Sequence, residues 1–344
     1  MPTRSASPAK VDAPKVDSPK RRVATKAASA SPPKSPSAKS IAAKSVPAKP
    51  VPARSGNGEN REAPPTQRWR LLVAYDGRGF QGFAALPGGV TVAGALSVAL
   101  TRVTRAPAPL AITCAGRTDA GVHAAGQVVH VDLPAVLPTI RRGGTSRAMT
   151  GDDLVAALNR QLAPSVVVRA AEPAPEGFDA RRSATARRYR YLVWNAPAPD
   201  PLLAGTAWHV AGPLDLRAME AATDALVGEH DFGAFCRRAP GVPAGSPIVR
   251  RVTSAAWTVL PTEPASDGWA PGGSPAGRLL RFEIEAGSFC HQMVRSIVSL
   301  LVQVGLGQGN VASTVARLRS ADRAGAPRPA PPEGLCLVTV SYAG

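Results

Sequence analysis

The octapeptide Gly116-Arg117-Thr118-Asp119-Ala120-Gly121-Val122-His123 puts a carboxylate two residues after a guanidinium and two before a glycine. It lies between two strand-like runs, 110–114 and 127–132. A carboxylate beside a permanent cation stays ionised at neutral pH, which suits a nucleophile or a base rather than a general acid. The same residues also make a good hairpin turn, with Arg117 as a surface charge. Local sequence leaves both readings open. A second group is Arg187-Arg188-Tyr189-Arg190-Tyr191. Strand alternation places Arg187, Tyr189 and Tyr191 on one face and Arg188 and Arg190 on the other. Cations beside a tyrosine can hold phosphate while the ring stacks on a base, at roughly 1–3 kcal/mol per base. A half-buried strand with solvated arginines fits the pattern equally. The third group is the run 289–298, where Met293, Ile297 and, beyond it, Leu301 fall on one helical face as core. Arg295 carries chemistry only if it meets Asp119 in a cleft. His123, His130, His209, His230 and His291 have no metal-ligand spacing and read as structural or surface residues, so no metal site is expected. There is no Gly-rich phosphate loop, Walker lysine or dinucleotide fingerprint.

The chain of 344 residues has a formal charge of +17 and a pI near 10.8. Residues 1–66 are mostly Ala, Pro, Ser, Lys and Val, with no aromatic residue. Such a segment buries too little apolar surface to offset about 1–2 kcal/mol per residue of backbone entropy, and it reads as a disordered tail. It holds 13 Lys/Arg against four Asp/Glu, in loose Ser-Pro-Lys blocks such as Ser18-Pro19-Lys20. That makes it an extended polycation: an inert basic tail or a nonspecific nucleic-acid tether. The remaining charge excess is mostly arginine, clustered at Arg181-Arg182, Arg187-Arg188, Arg237-Arg238 and Arg250-Arg251. Guanidinium clusters suit phosphate through their bidentate geometry, so a polyanionic partner is expected. Cys114, Cys236, Cys290 and Cys336 lie far apart without a CxxC pair, which argues for buried thiols in a reducing compartment rather than disulfides. No apolar run approaches the roughly 20 residues that cross a bilayer, and no signal-peptide core follows Met1. A membrane role is not expected, and the cytoplasm is.

These groups must be positioned by regular elements. Strands are expected at 69–75, 110–114, 127–132 and 166–168, with helices at 91–104 and 151–162. The second half repeats the order. Strands are expected at 188–194, 252–260, 279–286 and 335–342, with helices at 216–227, 290–304 and 311–318. Two β-α-β-β-α-β units imply an α+β protein of two ferredoxin-like halves, 67–172 and 173–344, with sheets joined around a central cleft. Residues 140–149 and 261–277 read as surface loops.

The motif at 116–123, the run 183–191 and Met293-Val294-Arg295 stand in the order and approximate spacing of the TruA family of tRNA pseudouridine synthases. Phe178-Asp179-Ala180-Arg181 and Glu333-Gly334-Leu335 match as well. The resemblance covers about residues 68–343 and leaves out the tail. It implies an isomerase that breaks a uridine's glycosidic bond, turns the uracil and rejoins it through carbon, with no cofactor. Asp119 would attack the ribose or remove a ribose proton. Tyr189 would stack on the target base, and Arg295 would pair with Asp119. Arg117 would contact RNA backbone and help extrude the nucleotide, with Arg187 and Arg188 also on substrate. The resemblance further implies tRNA as partner, the anticodon stem-loop at positions thirty-eight to forty as target, and a homodimer. Two departures stand out: Gly82-Phe83-Ala84 replaces the family's Gly-Trp-Gln, and Thr91-Val92-Ala93 replaces Thr-Val-Gln. Loss of both amides allows an alternative, a catalytically idle RNA-binding relative.

Overall fold

The structure is a computed structural model and describes residues 65–142, 144–238, 241, 243, 246–261, 277–320 and 328–343. Nearly all of the basic tail, and most of the 261–277 segment, lie outside the described residues. The chain enters at β1 (Thr66–Tyr75) and continues through α1 (Val92–Thr104), β2 (Thr113–Cys114) and β3 (His123–Pro134). A hairpin of β4 (Thr139–Arg142) and β5 (Thr145–Ala148) follows, then α2 (Gly151–Leu162) and β6 (Val166–Pro173). The second half runs β7 (Ala184–Asn195), β8 (Trp208–Val210), α3 (Leu216–Asp224), β9 (Gly228–Asp231), β10 (Val249–Leu260) and β11 (Arg278–Ala286). It ends with α4 (Met293–Gly305), α5 (Val311–Ser320) and β12 (Leu335–Tyr342).

Ten strands form one sheet in the order β6-β1-β3-β12-β7-β11-β10-β9, with β2 added on β3 and β8 on β7. The halves join where β12 runs parallel to the start of β3, at Cys336 opposite His123 and Leu337 opposite Ala124. Strand period sets which face is buried. Trp69, Leu71, Val73 and Tyr75 of β1 are buried, as are Arg187, Tyr189, Tyr191 and Val193 of β7 and Leu280, Phe282 and Ile284 of β11. Against that face pack Leu96 and Leu100 of α1, Leu154 and Leu158 of α2, Met219 of α3, and Ile297 and Leu301 of α4, in one continuous core. The protein is therefore a mixed α/β fold with one large sheet and, among the described residues, five α-helices.

The start of α2 follows from its cap. The Thr150 hydroxyl accepts from the Asp153 amide, and the Asp153 carboxylate accepts from the Thr150 amide at 2.9 Å. Arg147 and Thr150 hold that carboxyl well below the usual carboxylate range. Two expectations are corrected. Residues 140–149, read as a loop, contain the β4–β5 hairpin, whose β5 is exposed throughout; cross-strand backbone bonds hold it, so no apolar alternation marks it. Cys236 and Cys290, read as thiols, are joined as a disulfide with Cα atoms 5.7 Å apart, whereas Cys114 and Cys336 are free and buried. Spacing of 54 residues gave no hint of a pairing that the packing of α4 creates. Among the described residues no helix is long and apolar enough to cross a membrane.

Candidate active site

The loop between β2 and β3 is fixed from beneath. Gln127 is fully buried, and its side-chain amide donates to the Gly116 carbonyl at 2.6 Å. The Tyr75 hydroxyl lies 2.8 Å from that of Thr118, and the Phe83 amide donates to the Thr118 carbonyl at 3.1 Å. The turn closes when the Val122 amide donates to the Asp119 carbonyl at 3.2 Å. Gly121 occupies φ +79°, and a Cβ there would come within 2.9 Å of Pro332, so both backbone shape and space demand glycine. A rigid loop thus presents one carboxylate.

That carboxylate is gripped from the other half of the chain. Arg295 Nη1 donates to Asp119 Oδ2 at 2.9 Å, across 176 residues of sequence. The Arg295 side chain is 14% exposed, and its Nε donates to the Ala330 carbonyl at 2.7 Å. The second oxygen, Oδ1, lies 3.2 Å from Nε2 of His291. Asp119 keeps 24% of its side chain exposed, enough for a reacting atom to reach it. Tyr189 lies near enough for the Asp119 charge to disfavour its phenolate, although burial is the main cause of its raised pKa. Its ring is 7% exposed and meets Phe289 edge-on at 5.1 Å. A charge pair this sheltered is screened less than a surface pair, and it fixes the geometry of the carboxylate.

The structure brings Asp119, Arg295 and Tyr189 together and separates the other candidates. Arg117, the sequence neighbour, is exposed and has no carboxylate partner among the described residues; the cation on Asp119 is Arg295. Arg187, expected on RNA, has a buried guanidinium that donates to the carbonyls of Ala115, Arg181, Ala184 and Gly287. Arg188 lies on the sheet face opposite Tyr189, as strand alternation places it, and pairs with Glu285 at 3.1 Å from an exposed position. Sequence reading missed Gln127, Thr118 and the Cys236–Cys290 bond. It set aside His291, which lies in the turn just before α4, where the left-handed Gln292 rather than helical spacing brings it beside Arg295 at Asp119. Among the described residues no three His, Cys, Asp or Glu side chains form a metal cluster. A hollow of about 260 Å³ elsewhere, lined by Asp76, His123, Arg169, Arg190 and Glu333 among others, includes neither Asp119 nor Tyr189.

Comparison with known proteins bears on this geometry. The sequence model described as tRNA pseudouridine synthase matches residues 222–343, which hold His291 and Arg295. A protein of Frankia casuarinae named tRNA pseudouridine synthase A is 42% identical over 276 residues, covering 80% of this chain and 89% of the relative. The chain belongs to the tRNA pseudouridine synthase family. Similarly named relatives from Bifidobacterium animalis subsp. lactis, at 39% identity, and Acidiphilium cryptum, at 38%, each align with 80% of this chain and cover 93% and 96% of their own lengths. The family pattern itself begins after the Asp119 loop, at residue 222. In this synthase the family's Gly-Trp-Gln is Gly82-Phe83-Ala84, and Phe83 is 1% exposed, its backbone bracing Thr118.

Proposed function

We propose that this chain is an isomerase that converts uridine to pseudouridine in the anticodon stem-loop of tRNA, at positions thirty-eight to forty. Substrate and product have the same atoms. The bond from ribose C1′ to uracil N1 breaks and one from C1′ to C5 forms, N1 gains a proton and C5 loses one, so the balance needs no oxidant or reductant. Asp119 is the catalytic carboxylate, acting on the ribose as nucleophile or as base. Arg295 keeps it aimed, and Tyr189 walls the space where the uracil turns. Arg117, exposed at the loop, contacts RNA backbone and helps extrude the nucleotide; extrusion costs a few kcal/mol, which phosphate contacts supply. The observation that carries this reading is the Asp119–Arg295 pair at 2.9 Å on a loop open to solvent.

The enzyme works in the cytoplasm as a homodimer. Its halves, 67–172 and 173–344, are ferredoxin-like; the strand orders β6-β1-β3-β2 and β12-β7-β11-β10 support this. The test is release of tritium from tRNA carrying uridine labelled at C5, joined to a map of pseudouridine in tRNA from cells with and without the gene. Stoichiometric release and loss of pseudouridine from the anticodon arm are expected. Binding of tRNA without release would make the chain the idle relative. The tail is a nonspecific nucleic-acid tether. Removing residues 1–64 should flatten the salt dependence of tRNA binding, because each cation removed takes about one released counterion with it, and should leave the modified positions unchanged. An unaltered salt slope would show the tail to be inert.

A further inference from the structure

Asp119 has a nitrogen beside each oxygen, and only one of the two belongs to the pair already assigned. Arg295 takes Oδ2 from a nearly buried position. His291 Nε2 lies 3.2 Å from Oδ1, on a side chain that is 47% exposed. The backbone that delivers His291 is constrained on every side. Cys290, its neighbour, is bonded to Cys236. The Arg237 amide donates to the His291 carbonyl at 3.0 Å, and the Met293 amide to that of Cys290 at 3.1 Å. Gln292 adopts the left-handed conformation at φ 66°, a conformation that a non-glycine residue keeps only when its surroundings impose it. Phe289, two residues earlier, packs its ring on Tyr189. A solvated surface histidine needs none of this bracing.

We propose that His291 is a positioning residue for Asp119. A carboxylate held at one oxygen can still swing about that contact through its side-chain torsions. A second donor on the other oxygen removes the swing and fixes the plane in which the reacting oxygen meets C1′. The imidazole gives this hold from an exposed site, so it can yield Oδ1 when the ribose arrives, while Arg295 keeps Oδ2. Displacements of an ångström in a reacting group cost up to about 100-fold in rate. This role rests on the isomerase reading with Asp119 at its centre.

The test compares native enzyme, His291→Ala, His291→Gln and Asp119→Asn on the same tRNA. His291→Ala should lower kcat about tenfold with KM for tRNA within about twofold, and with unchanged melting, since the side chain is exposed. His291→Gln, whose amide reaches the same distance, should recover kcat to within about threefold of native. A native kcat in His291→Ala, a loss confined to KM, or a glutamine variant as slow as alanine would each overturn the positioning role. Asp119→Asn separates the two ideas. If it is inactive while His291→Ala is native, only the role of His291 fails; if it turns over normally, the isomerase assignment to Asp119 fails first.

Discussion

Asp119→Asn should lower turnover by more than about 1,000-fold, with tRNA affinity within about threefold of native and melting within a few degrees. The substitution keeps size and shape but removes the negative charge and the lone pair that attacks or takes a proton. Loss of one acid–base group typically costs 10²–10⁴-fold, and a thousandfold loss corresponds to about 4 kcal/mol of transition-state stabilisation. The upper part of that range applies because the described residues place no second carboxylate in hydrogen-bonding or ion-pair contact with Arg295 or His291. Folding should survive, since the asparagine carbonyl still accepts from Arg295 and the loop is held by Gln127, Thr118 and Phe83 rather than by the carboxylate. Binding should survive because phosphate contacts supply most affinity for a polyanion. Measured by tritium release and by filter binding, a variant with native turnover would remove Asp119 from the chemistry altogether.

The elements legible in sequence were those whose own residues pay out the signal locally. Helix α2 falls at the expected residues because Thr150 and Asp153 cap it and Leu154, Ala157 and Leu158 stripe it. Strand β12 also falls at its expected limits, and the alternation of β7 assigned Tyr189 and Arg188 to the faces they occupy. Strand β2 shrank to Thr113–Cys114, because Leu110 and Ile112 pack on the core without joining a neighbouring strand. Short β8 and β9 escaped notice, since three or four residues carry no period. At the site, the local run offered Arg117 as the cation beside Asp119, whereas the family resemblance pointed to Arg295. Arg117 stands two residues from Asp119, yet the cation that reaches it is Arg295, brought there by α4 packing on the sheet. Arg187 is a different case. An arginine on a strand reads as a phosphate ligand until its carbonyl partners, which come from four separate positions and carry no side-chain signature, are seen.

Those carbonyls make Arg187→Ala the most destabilising single change expected here. The guanidinium donates to Ala115 at 3.0 Å, Arg181 at 2.6 Å, Ala184 at 3.0 Å and Gly287 at 2.5 Å, and it is 8% exposed. Burial pulls its pKa down from the usual arginine value, as removing a charge from water must; carbonyl dipoles stand in for the lost hydration. Alanine would leave four acceptors in a cavity with no donor. Hydrogen bonds to a charged group are worth about 1.5–3 kcal/mol each, and breaking a buried charged network costs roughly 3–5 kcal/mol after relaxation. A typical domain has only about 5–15 kcal/mol in total, so melting should fall by roughly 10 °C. Lysine should recover little, because an ammonium has three donors on a tetrahedron and cannot reach four carbonyls in the plane of a guanidinium. The consequence for catalysis follows from which segments are tied. Ala115 leads into the Asp119 loop, and Gly287 leads to Phe289, His291 and Arg295, so Arg187 sets the distance across which the carboxylate is gripped. At a temperature where the alanine variant is still folded, kcat should fall while Asp119, Arg295 and His291 are all intact. A variant melting within 2 °C of native, or one that is destabilised yet turns over normally when folded, would show that the four carbonyl bonds neither hold the fold nor align the site.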